Sequence, residues 1–437
     1  MEKVKTAIRN IKSDDKRHNL VMFALDGMLI TIIQQLVWTN VNTFAQHMGA
    51  TPDQLAFMTF LNQVVTVAVL FPMGIVSDRV RNKKIILNVA LIVLMVFYFL
   101  AALTPIFGKY ALYAFIPVIS FGAAGRQLYL ATWNAFFKDA TKEEDRSDVM
   151  AVRTRITLIL GVVVPIITGN ILAHAKDAAV KTLIYQAFII GAMFVGLLLL
   201  YVIKKIRGGD VKTHDEGVKE KINVIEALKH ISKNKNYMFF MFCLLCFYFS
   251  WQIDWTMWLI AKTDYLMMDE AWLAYANAIG TLGQFISIGI WRRINNKKGV
   301  RFGLMFGAWG LSACTLSVII AVPMYEAGNK MAAYITYMLI WAVTNLPQTV
   351  TSLNLPLNLI EVVDEKYSAI CISLYTILTT ITNAIMPSIG VAIYNAFGGG
   401  SKGLTSLYTV IGILRFMAGC LWFYRYKKMK DFRSEDQ

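Results

Sequence analysis

The sequence predicts an all-α membrane protein in which twelve transmembrane helices form two pseudo-symmetric six-helix bundles. Three observations support this fold class: a strongly apolar composition, a regular series of long apolar runs, and short motifs that recur at nearly constant offset. Of the 437 residues, 57% are hydrophobic and 16% are charged, and the mean hydropathy is +0.51. Such a chain is too apolar for an ordinary water-exposed surface, and its length accommodates roughly a dozen spans of about 20 residues.

The apolar runs divide equally between the two halves of the chain, and each is bounded by polar residues or by Gly and Pro. The first-half runs cover residues 20–44, 53–76, 84–105, 110–137, 150–173 and 180–203. The second-half runs cover residues 237–262, 271–291, 302–324, 330–358, 367–396 and 403–424. An even number of spans places both termini on the same side of the membrane.

The basic residues concentrate in alternate connections. If the N-terminus is cytoplasmic, the inner segments carry 35 of the 43 Lys and Arg residues. The outer connections carry six: Lys109, Lys176, Lys181, Lys262, Lys330 and Lys402. Because basic loops are retained in the cytoplasm, we predict a multi-pass protein of the cell membrane, inner or plasma, with both termini cytoplasmic. The net charge of +15 follows from this bias, and no nucleic-acid partner is predicted.

The longest connection separates the two predicted bundles. Residues 1–203 form the first bundle, 204–235 a cytoplasmic linker, and 236–437 the second bundle with a cytoplasmic tail. Four apolar residues of the linker recur at helical spacing: Ile222, Ile225, Leu228 and Ile231. They predict an amphipathic helix, which either lies on the inner membrane surface or serves as a plain linker helix.

Two motifs of the first half return in the second. The segment from Gln35 to Thr39 returns as Gln252 to Thr256, at an offset of 217 residues. The basic segment that begins at Arg79 returns at Arg293, at an offset of 214 residues. The two echoes occupy equivalent points of a six-plus-six plan, which indicates a duplicated bundle.

The connection after the second run reads Gly74-Ile-Val-Ser-Asp78-Arg79-Val-Arg81-Asn-Lys-Lys. With the span count, central linker and duplication, it resembles the major facilitator superfamily, whose marker there is a Gly-x-x-x-Asp-Arg-x-Gly-Arg-Lys-like pattern. Arg81 stands where that family usually has glycine. The resemblance implies a monomeric secondary transporter that works by alternating access, and it assigns Gly74, Asp78 and Arg79 to a gating loop. Alternatively, these charges are only solvated loop residues.

Of the ionisable residues inside apolar runs, Asp26, Arg126 and Asp254 stand out as candidates for a transport path, because charges in hydrocarbon are costly. The resemblance implies that the first and fourth spans line a central cavity, where Asp26 pairs with Arg126 and acts as a proton-coupling residue. Alternatively, Arg126 binds an anionic group of the solute, or Asp26 reaches the headgroups. Asp254 is the second proton-coupling candidate, unless it only bonds a neighbouring helix. Arg415 is predicted to have no comparable role, because the twelfth helix packs outside the cavity in the family.

Buried amides and tryptophans form the predicted solute-binding set. Amides donate and accept hydrogen bonds and indoles cover apolar rings, which suits a sugar-like molecule or an organic acid. With Arg126, the set comprises Gln34, Gln35, Trp38, Asn40, Gln127, Trp133, Asn134, Gln252, Trp255, Asn345, Gln348 and Asn354. Gln35 and Trp38 are predicted to face Gln252 and Trp255 across the cavity, whereas hydrogen bonding between helices is the alternative for many members.

The predicted function is secondary transport of a small polar or anionic organic solute, coupled to protons in the manner of a symporter. The alternative is proton-driven efflux of amphipathic compounds. It is weakened because Val118 stands where drug antiporters place an arginine, and because the fifth span matches the antiporter Gly-Pro pattern only in part. A membrane-embedded enzyme is less favoured, since the histidines form no metal-binding pair and no phosphate-binding loop occurs. Cys243 and Cys246 match a redox spacing, but they lie in an apolar run where packing is the favoured interpretation. No cofactor or metal is predicted.

Overall fold

The computed structural model describes residues 15–79, 82–208, 224–363 and 368–432, and every regular element in these ranges is helical. The first seven helices are α1 Asp15–Ile33, α2 Val41–His47, α3 Pro52–Arg79, α4 Lys83–Leu103, α5 Ala111–Ala140, α6 Arg146–His174 and α7 Ala178–Lys205. A π-helical turn, Gln34–Trp38, joins α1 to α2, and 3₁₀ turns at Thr104–Tyr110 and Glu143–Asp145 precede α5 and α6.

Nine helices follow. They are α8 Val224–Lys233, α9 Lys235–Gln252, α10 Trp255–Ile260, α11 Glu270–Lys298, α12 Val300–Cys314, α13 Leu316–Glu326, α14 Lys330–Val362, α15 Ser368–Ala396 and α16 Gly400–Phe432. A second π-helical turn, Ala261–Tyr265, ends the segment that α9 and α10 begin.

These helices coincide with the predicted apolar runs and confirm the all-helical membrane fold. Nine segments of the described chain are long and apolar enough to cross a membrane, and one of them, Lys83–Trp133, contains two predicted spans. The twelve-span count fits this arrangement and remains a prediction.

Contacts within the chain group it into two compact units. The first unit comprises Met1–Thr51 and Leu61–Gly217, and the second comprises Pro52–Phe60 and Val218–Gln437. The predicted division at the 204–235 linker stays a prediction. Of its amphipathic residues, Ile222 and Ile225 lie outside the described side chains, Leu228 is 40% exposed, and Ile231 is buried among apolar residues of the second unit.

In the first unit, α1 packs against α6 and α7, and α4 packs against α5 and α7. The closest approach of α4 and α5 occurs at Gly125, where a β-carbon would lie 2.9 Å from the carbonyl oxygen of Ala90. Small residues permit this kind of backbone approach between membrane helices. The packing fixes the register of α5, and thereby decides which of its side chains face α1.

In the second unit, α12 packs against α14 and α16, and α14 also contacts α11 and α13. Two buried clusters form the apolar interior. One is centred on Met257, Val318 and Tyr408, and the other on Phe240, Leu244 and Trp422. The first cluster includes Ile253, which lies in the break between α9 and α10, and Met257, which follows it.

Candidate functional site

The carboxylate of Asp26 lies at the centre of a cage in the first unit. It is completely buried, and it accepts hydrogen bonds from the Tyr129 hydroxyl, from Trp133 Nε1 at 2.9 Å, and from Arg153 Nε at 3.1 Å. A buried charge is tolerated when it is paired and fully hydrogen-bonded, and this cage supplies both conditions.

Helix α5 supplies two of the three donors because of its residue spacing. Arg126, Tyr129 and Trp133 are three and four residues apart, so they lie on one face of the helix. Phe23 lies one turn before Asp26 on α1, and its ring is 6.1 Å from that of Trp133 in an edge-on arrangement. This aromatic packing seals the cage on one side.

Arg153 reaches the cage from α6. Its guanidinium carbon lies 3.9 Å from the centroid of the Trp133 ring, so the same indole donates to Asp26 and stacks on the cation. Gly27 makes this approach possible, because a β-carbon there would lie 2.5 Å from Arg153 Cγ. The Arg153 side chain is still 15% exposed, whereas Asp26 is not exposed at all.

The predicted pairing of Asp26 with Arg126 is therefore wrong, and Asp26 does not reach out toward the headgroups. The sequence analysis counted Arg153 only with the basic residues of the inner segments, at the start of the apolar run 150–173, whereas α6 begins at Arg146 and carries Arg153 two turns into the helix. The acidic residues before Arg146 are a signal for an earlier helix start, since acidic side chains favour the first helical turn.

Arg126 occupies a different position on the same face of α5. Its guanidinium carbon lies 4.2 Å from the centroid of the Trp38 ring, and its Nε is buried with no hydrogen-bond partner in the described part of the chain. The residue as a whole is half-buried. A guanidinium that is held by stacking and keeps an unused donor can bind a carboxylate or phosphate.

Other predicted residues of the first half stand on or near the π-helical turn. Gln34 and Gln35 are half-buried, and Gln35 Oε1 accepts a hydrogen bond from the Thr39 hydroxyl at 2.7 Å. Asn40 Nδ2 donates to the carbonyl oxygens of Gln35 at 3.1 Å and of Leu36 at 3.0 Å. Asn40 thus satisfies carbonyls that the altered helix leaves without their usual partners.

The remaining first-half residues fall into three groups. Gln127 is half-buried beside Arg126, and Trp133 is 4% exposed and committed to the Asp26 cage. The Asn134 side chain lies outside the described residues. So do the side chains of the predicted gating loop, Gly74, Asp78 and Arg79.

After that loop, two lysines at the start of α4 connect helices of the first unit. Lys83 Nζ forms a salt bridge with Asp139 Oδ2 at 2.6 Å, and Lys84 Nζ donates to the carbonyl oxygen of Ile206 at 2.8 Å. These contacts tie the start of α4 to the ends of α5 and α7. The sequence analysis used both lysines for the topology, the repeat and the family resemblance, and it did not predict these contacts.

The second unit holds its own buried ion pair. Asp254 Oδ1 lies 2.5 Å from Arg415 Nη2, and both residues are almost fully buried. Arg415 also donates to the carbonyl oxygens of Ser250, Trp251 and Leu311 at 3.0–3.2 Å. The carbonyls near the end of α9 lose intrahelical partners where the helix breaks, and Arg415 replaces those partners. The sequence analysis did not foresee this structural role of Arg415, and its prediction that Arg415 takes no part in a transport path stays a prediction.

The second-half counterparts of Gln35 and Trp38 have unlike environments. Gln252 is 8% exposed, whereas Trp255 is 51% exposed. Whether they bind solute stays a prediction.

Helix α14 carries the last three predicted amides. Asn354 is fully buried and exchanges hydrogen bonds with Asn295 at 2.7 and 3.0 Å, and it also donates to the Val300 carbonyl at 2.6 Å. By contrast, the acceptor oxygens of Asn345 and Gln348 have no hydrogen-bond partner in the described chain. Of the three amides, Asn345 and Gln348 therefore retain unused acceptor capacity.

The described residues contain no group of three or more His, Cys, Asp or Glu side chains that could hold a metal ion. The five cysteines are free thiols, and three of them, Cys243, Cys314 and Cys371, are buried. The candidate residues of the two units offer ionic, hydrogen-bonding and aromatic contacts.

Several solved transporter structures share the fold of this chain. The chain resembles the nucleoside transporter NupG, with 11% identity, a TM-score of 0.70, and coverage of 93% of this chain and 99% of that one. It also resembles a bacterial homologue of the iron transporter ferroportin in an inward-facing state, with 12% identity, a TM-score of 0.69, and coverage of 94% and 98%. A POT family transporter in complex with 5-aminolevulinic acid has 12% identity, a TM-score of 0.68, and coverage of 94% and 96%. These likenesses establish a shared fold.

The curated protein sequences contain no match. The sequence profile of the Major Facilitator Superfamily matches residues 23–361, which is more than half of the chain. This result confirms the predicted family, and it identifies a transporter rather than an enzyme. The chain belongs to the major facilitator superfamily of membrane transporters.

Proposed function

We propose that this transporter moves a small polar or anionic organic solute by alternating access and couples that movement to protons. The observation that carries the proposal is the alignment on α5 of Arg126 with the two side chains that hold Asp26. Residues three and four apart on a helix are neighbours, at about 5–6 Å between their β-carbons. A solute-binding cation and a proton-binding carboxylate would then share one helix face.

The proton is assigned to Asp26. While Asp26 is ionised, it attracts Arg153 and holds α6 against α1. Protonation would cancel that attraction, whereas the neutral donors Tyr129 and Trp133 would remain on the carboxyl group. Arg153 is partly exposed and would then be able to turn toward water. One proton would thus release one contact between helices, which is the kind of two-state element that conformational switching requires.

The solute is assigned to Arg126. Its guanidinium offers donors in a planar fork that suits carboxylates, and Trp38 holds the group in place. The half-buried amides Gln35 and Gln127 would supply further hydrogen bonds to a polar body. This set favours an organic acid over an uncharged sugar.

Asp254 is assigned a structural role instead of proton coupling, because its partner Arg415 is held by three carbonyl oxygens. The family resemblance supports a gating role for Gly74, Asp78 and Arg79, and the basic-residue bias supports cytoplasmic termini. These assignments complete the proposal for a monomeric symporter.

The test is uptake into proteoliposomes across a panel of organic acids, sugars, nucleosides and amphipathic cations, with and without an imposed pH gradient. We expect an inward proton gradient to drive accumulation of an organic acid. Asp26→Asn should abolish that accumulation while exchange without a gradient persists. Arg126→Gln should raise the KM for the acid about tenfold or more, corresponding to about 1.4 kcal/mol.

Arg155→Gln is the control, since Arg155 lies on α6 two residues from Arg153 but is exposed. It should leave both measurements unchanged. Accumulation that ignores the gradient and the Asp26 substitution would rule out proton coupling at this site. Proton-driven expulsion of the amphipathic cations would favour efflux over uptake.

A further inference from the structure

The second unit buries a lysine that the sequence analysis had assigned to an outer connection. Lys262 lies in the π-helical turn Ala261–Tyr265 and is 7% exposed. Among the described residues, its ammonium group has no carboxylate partner. The ion pair of the same unit, Asp254 with Arg415, is balanced within itself, so the charge of Lys262 is left uncompensated.

Aromatic rings form the surroundings of this lysine. Its Nζ lies 5.8 Å from the centroid of the Trp258 ring, one turn earlier on the chain. Trp258 in turn contacts Trp341 and Tyr337 of α14, at ring separations of 5.0 and 5.7 Å, and Tyr408 of α16 at 6.1 Å. The faces of these rings can stabilise a cation and can also pack against an apolar ligand.

The cluster also contains an unused hydrogen-bond donor. The hydroxyl of Tyr408 is buried and has no partner in the described part of the chain, although buried hydroxyls are normally hydrogen-bonded. An unpaired ammonium and an unpaired hydroxyl therefore occupy one aromatic cluster.

A buried ammonium without a counter-ion destabilises the folded protein, and an anion that binds beside it reduces that destabilisation. π-helical turns are frequent at functional sites. We propose that Lys262 and the aromatic cluster of Trp258, Tyr337, Trp341 and Tyr408 form an anion-binding subsite for a ring-bearing organic acid. The carboxylate binds the ammonium, and the ring packs on the indole and phenol faces.

This inference deepens the proposed function by naming the class of solute, and it rests on that function only in treating the bound acid as cargo. The test is calorimetric titration of the purified full-length protein in detergent with benzoate, cyclohexanecarboxylate and the neutral benzamide. The titrations use an Arg126→Gln background, which removes the other candidate anion site. We expect both carboxylates to bind and benzamide not to bind.

Lys262→Met keeps the length of the side chain without its charge, and should weaken benzoate binding at least tenfold. Its melting temperature without ligand should equal or exceed that of the parent protein, because an unpaired buried charge is gone. Lys262→Arg should bind benzoate within about threefold of the parent. Lys330→Met is the matched control, because Lys330 Nζ lies 5.6 Å from the Tyr334 ring but the residue is exposed.

Unchanged benzoate binding in a folded Lys262→Met protein overturns the subsite, as does a melting temperature well below that of the parent. Equal binding of benzamide overturns it too. These outcomes are separate from the proton test. If Asp26 controls proton-driven uptake and Lys262 is dispensable for benzoate binding, the proposed function stands and the subsite fails. If benzoate binding needs Lys262 and no solute follows the proton gradient, the subsite stands and the coupling fails.

Discussion

Each unit contains one buried aspartate paired with an arginine from another helix, and the two pairs differ in how the arginine is held. Arg415 donates to three backbone carbonyls besides Asp254, and its side chain is 2% exposed. Arg153 stacks on an indole, and its side chain is 15% exposed. Moving Arg415 away from Asp254 would leave backbone carbonyls without partners, whereas Arg153 can move away from Asp26 without that loss.

The two aspartates also differ in how many side chains bond to them. Asp26 also accepts hydrogen bonds from Tyr129 and Trp133, two neutral donors that can bond a carboxyl oxygen in either charge state. Arg415 is the side-chain partner of Asp254 in the described chain. On the proposed function, a buried ion pair acts as a switch when neutral donors and some solvent access accompany it. Without them it acts as a structural anchor.

The largest expected effect is on protein stability, at the structural anchor formed by Asp254 and Arg415. Arg415→Leu removes a cation that satisfies Asp254 and three carbonyls, so we expect a loss of about 3–5 kcal/mol in the free energy of unfolding. Arg153→Leu should cost clearly less, because Asp26 keeps two donors. Thermal unfolding of both variants in the same detergent measures the difference.

Arg155→Leu is the control for both, because this exposed arginine lies beside Arg153 on α6. Surface substitutions of this kind usually change stability by less than about 0.5 kcal/mol. Equal destabilisation by Arg153→Leu and Arg415→Leu would break the distinction between switch and anchor.

The sequence predicted the helical membrane fold and placed Asp26, Arg126 and Asp254 in the spans, because hydrophobicity and charge are strong local signals in a bilayer. It did not predict the partners. Arg153 and Lys262 lie near the ends of apolar runs, where a charge looks solvated. Only the three-dimensional packing shows that Lys262 is buried and that Arg153 is largely withdrawn from solvent against Asp26.

Arg415 was missed for a different reason. Its span was assigned to the outside of the bundle by family resemblance, whereas its contacts arise from a helix break between Gln252 and Trp255. That break depends on tertiary packing and has no clear sequence signal. Pairing between distant helices is therefore the part of this site that sequence reasoning could not reach.

A middle-sized effect is expected within the cage. Tyr129→Phe removes a hydrogen bond to a buried carboxylate, and bonds to charged groups contribute about 1.5–3 kcal/mol. Tyr98→Phe is the matched control in the same unit, because its hydroxyl is equally buried but has no partner in the described chain. We expect Tyr98→Phe to be neutral or stabilising in thermal unfolding. If both substitutions destabilise alike, the cage hydroxyl has no special role.

The smallest effect on stability is expected at Gly27, although its effect on coupling should be large. An alanine β-carbon would lie 2.5 Å from Arg153 Cγ, so the arginine must shift away from Asp26. Overpacking costs about 1–3 kcal/mol, but alanine recovers about 1 kcal/mol of helix propensity, which leaves a modest net loss. Gly191→Ala is the control, because nothing lies within 4 Å of its β-carbon position on α7, and it should be neutral or stabilising.

Because the stability loss is modest, Gly27→Ala should fold almost normally and yet respond weakly to a proton gradient in proteoliposome uptake. A Gly27→Ala protein with normal proton-driven uptake would mean that contact between Arg153 and Asp26 does not control coupling. The pair of Asp26 and Arg153 would then be a structural anchor, like the pair of Asp254 and Arg415.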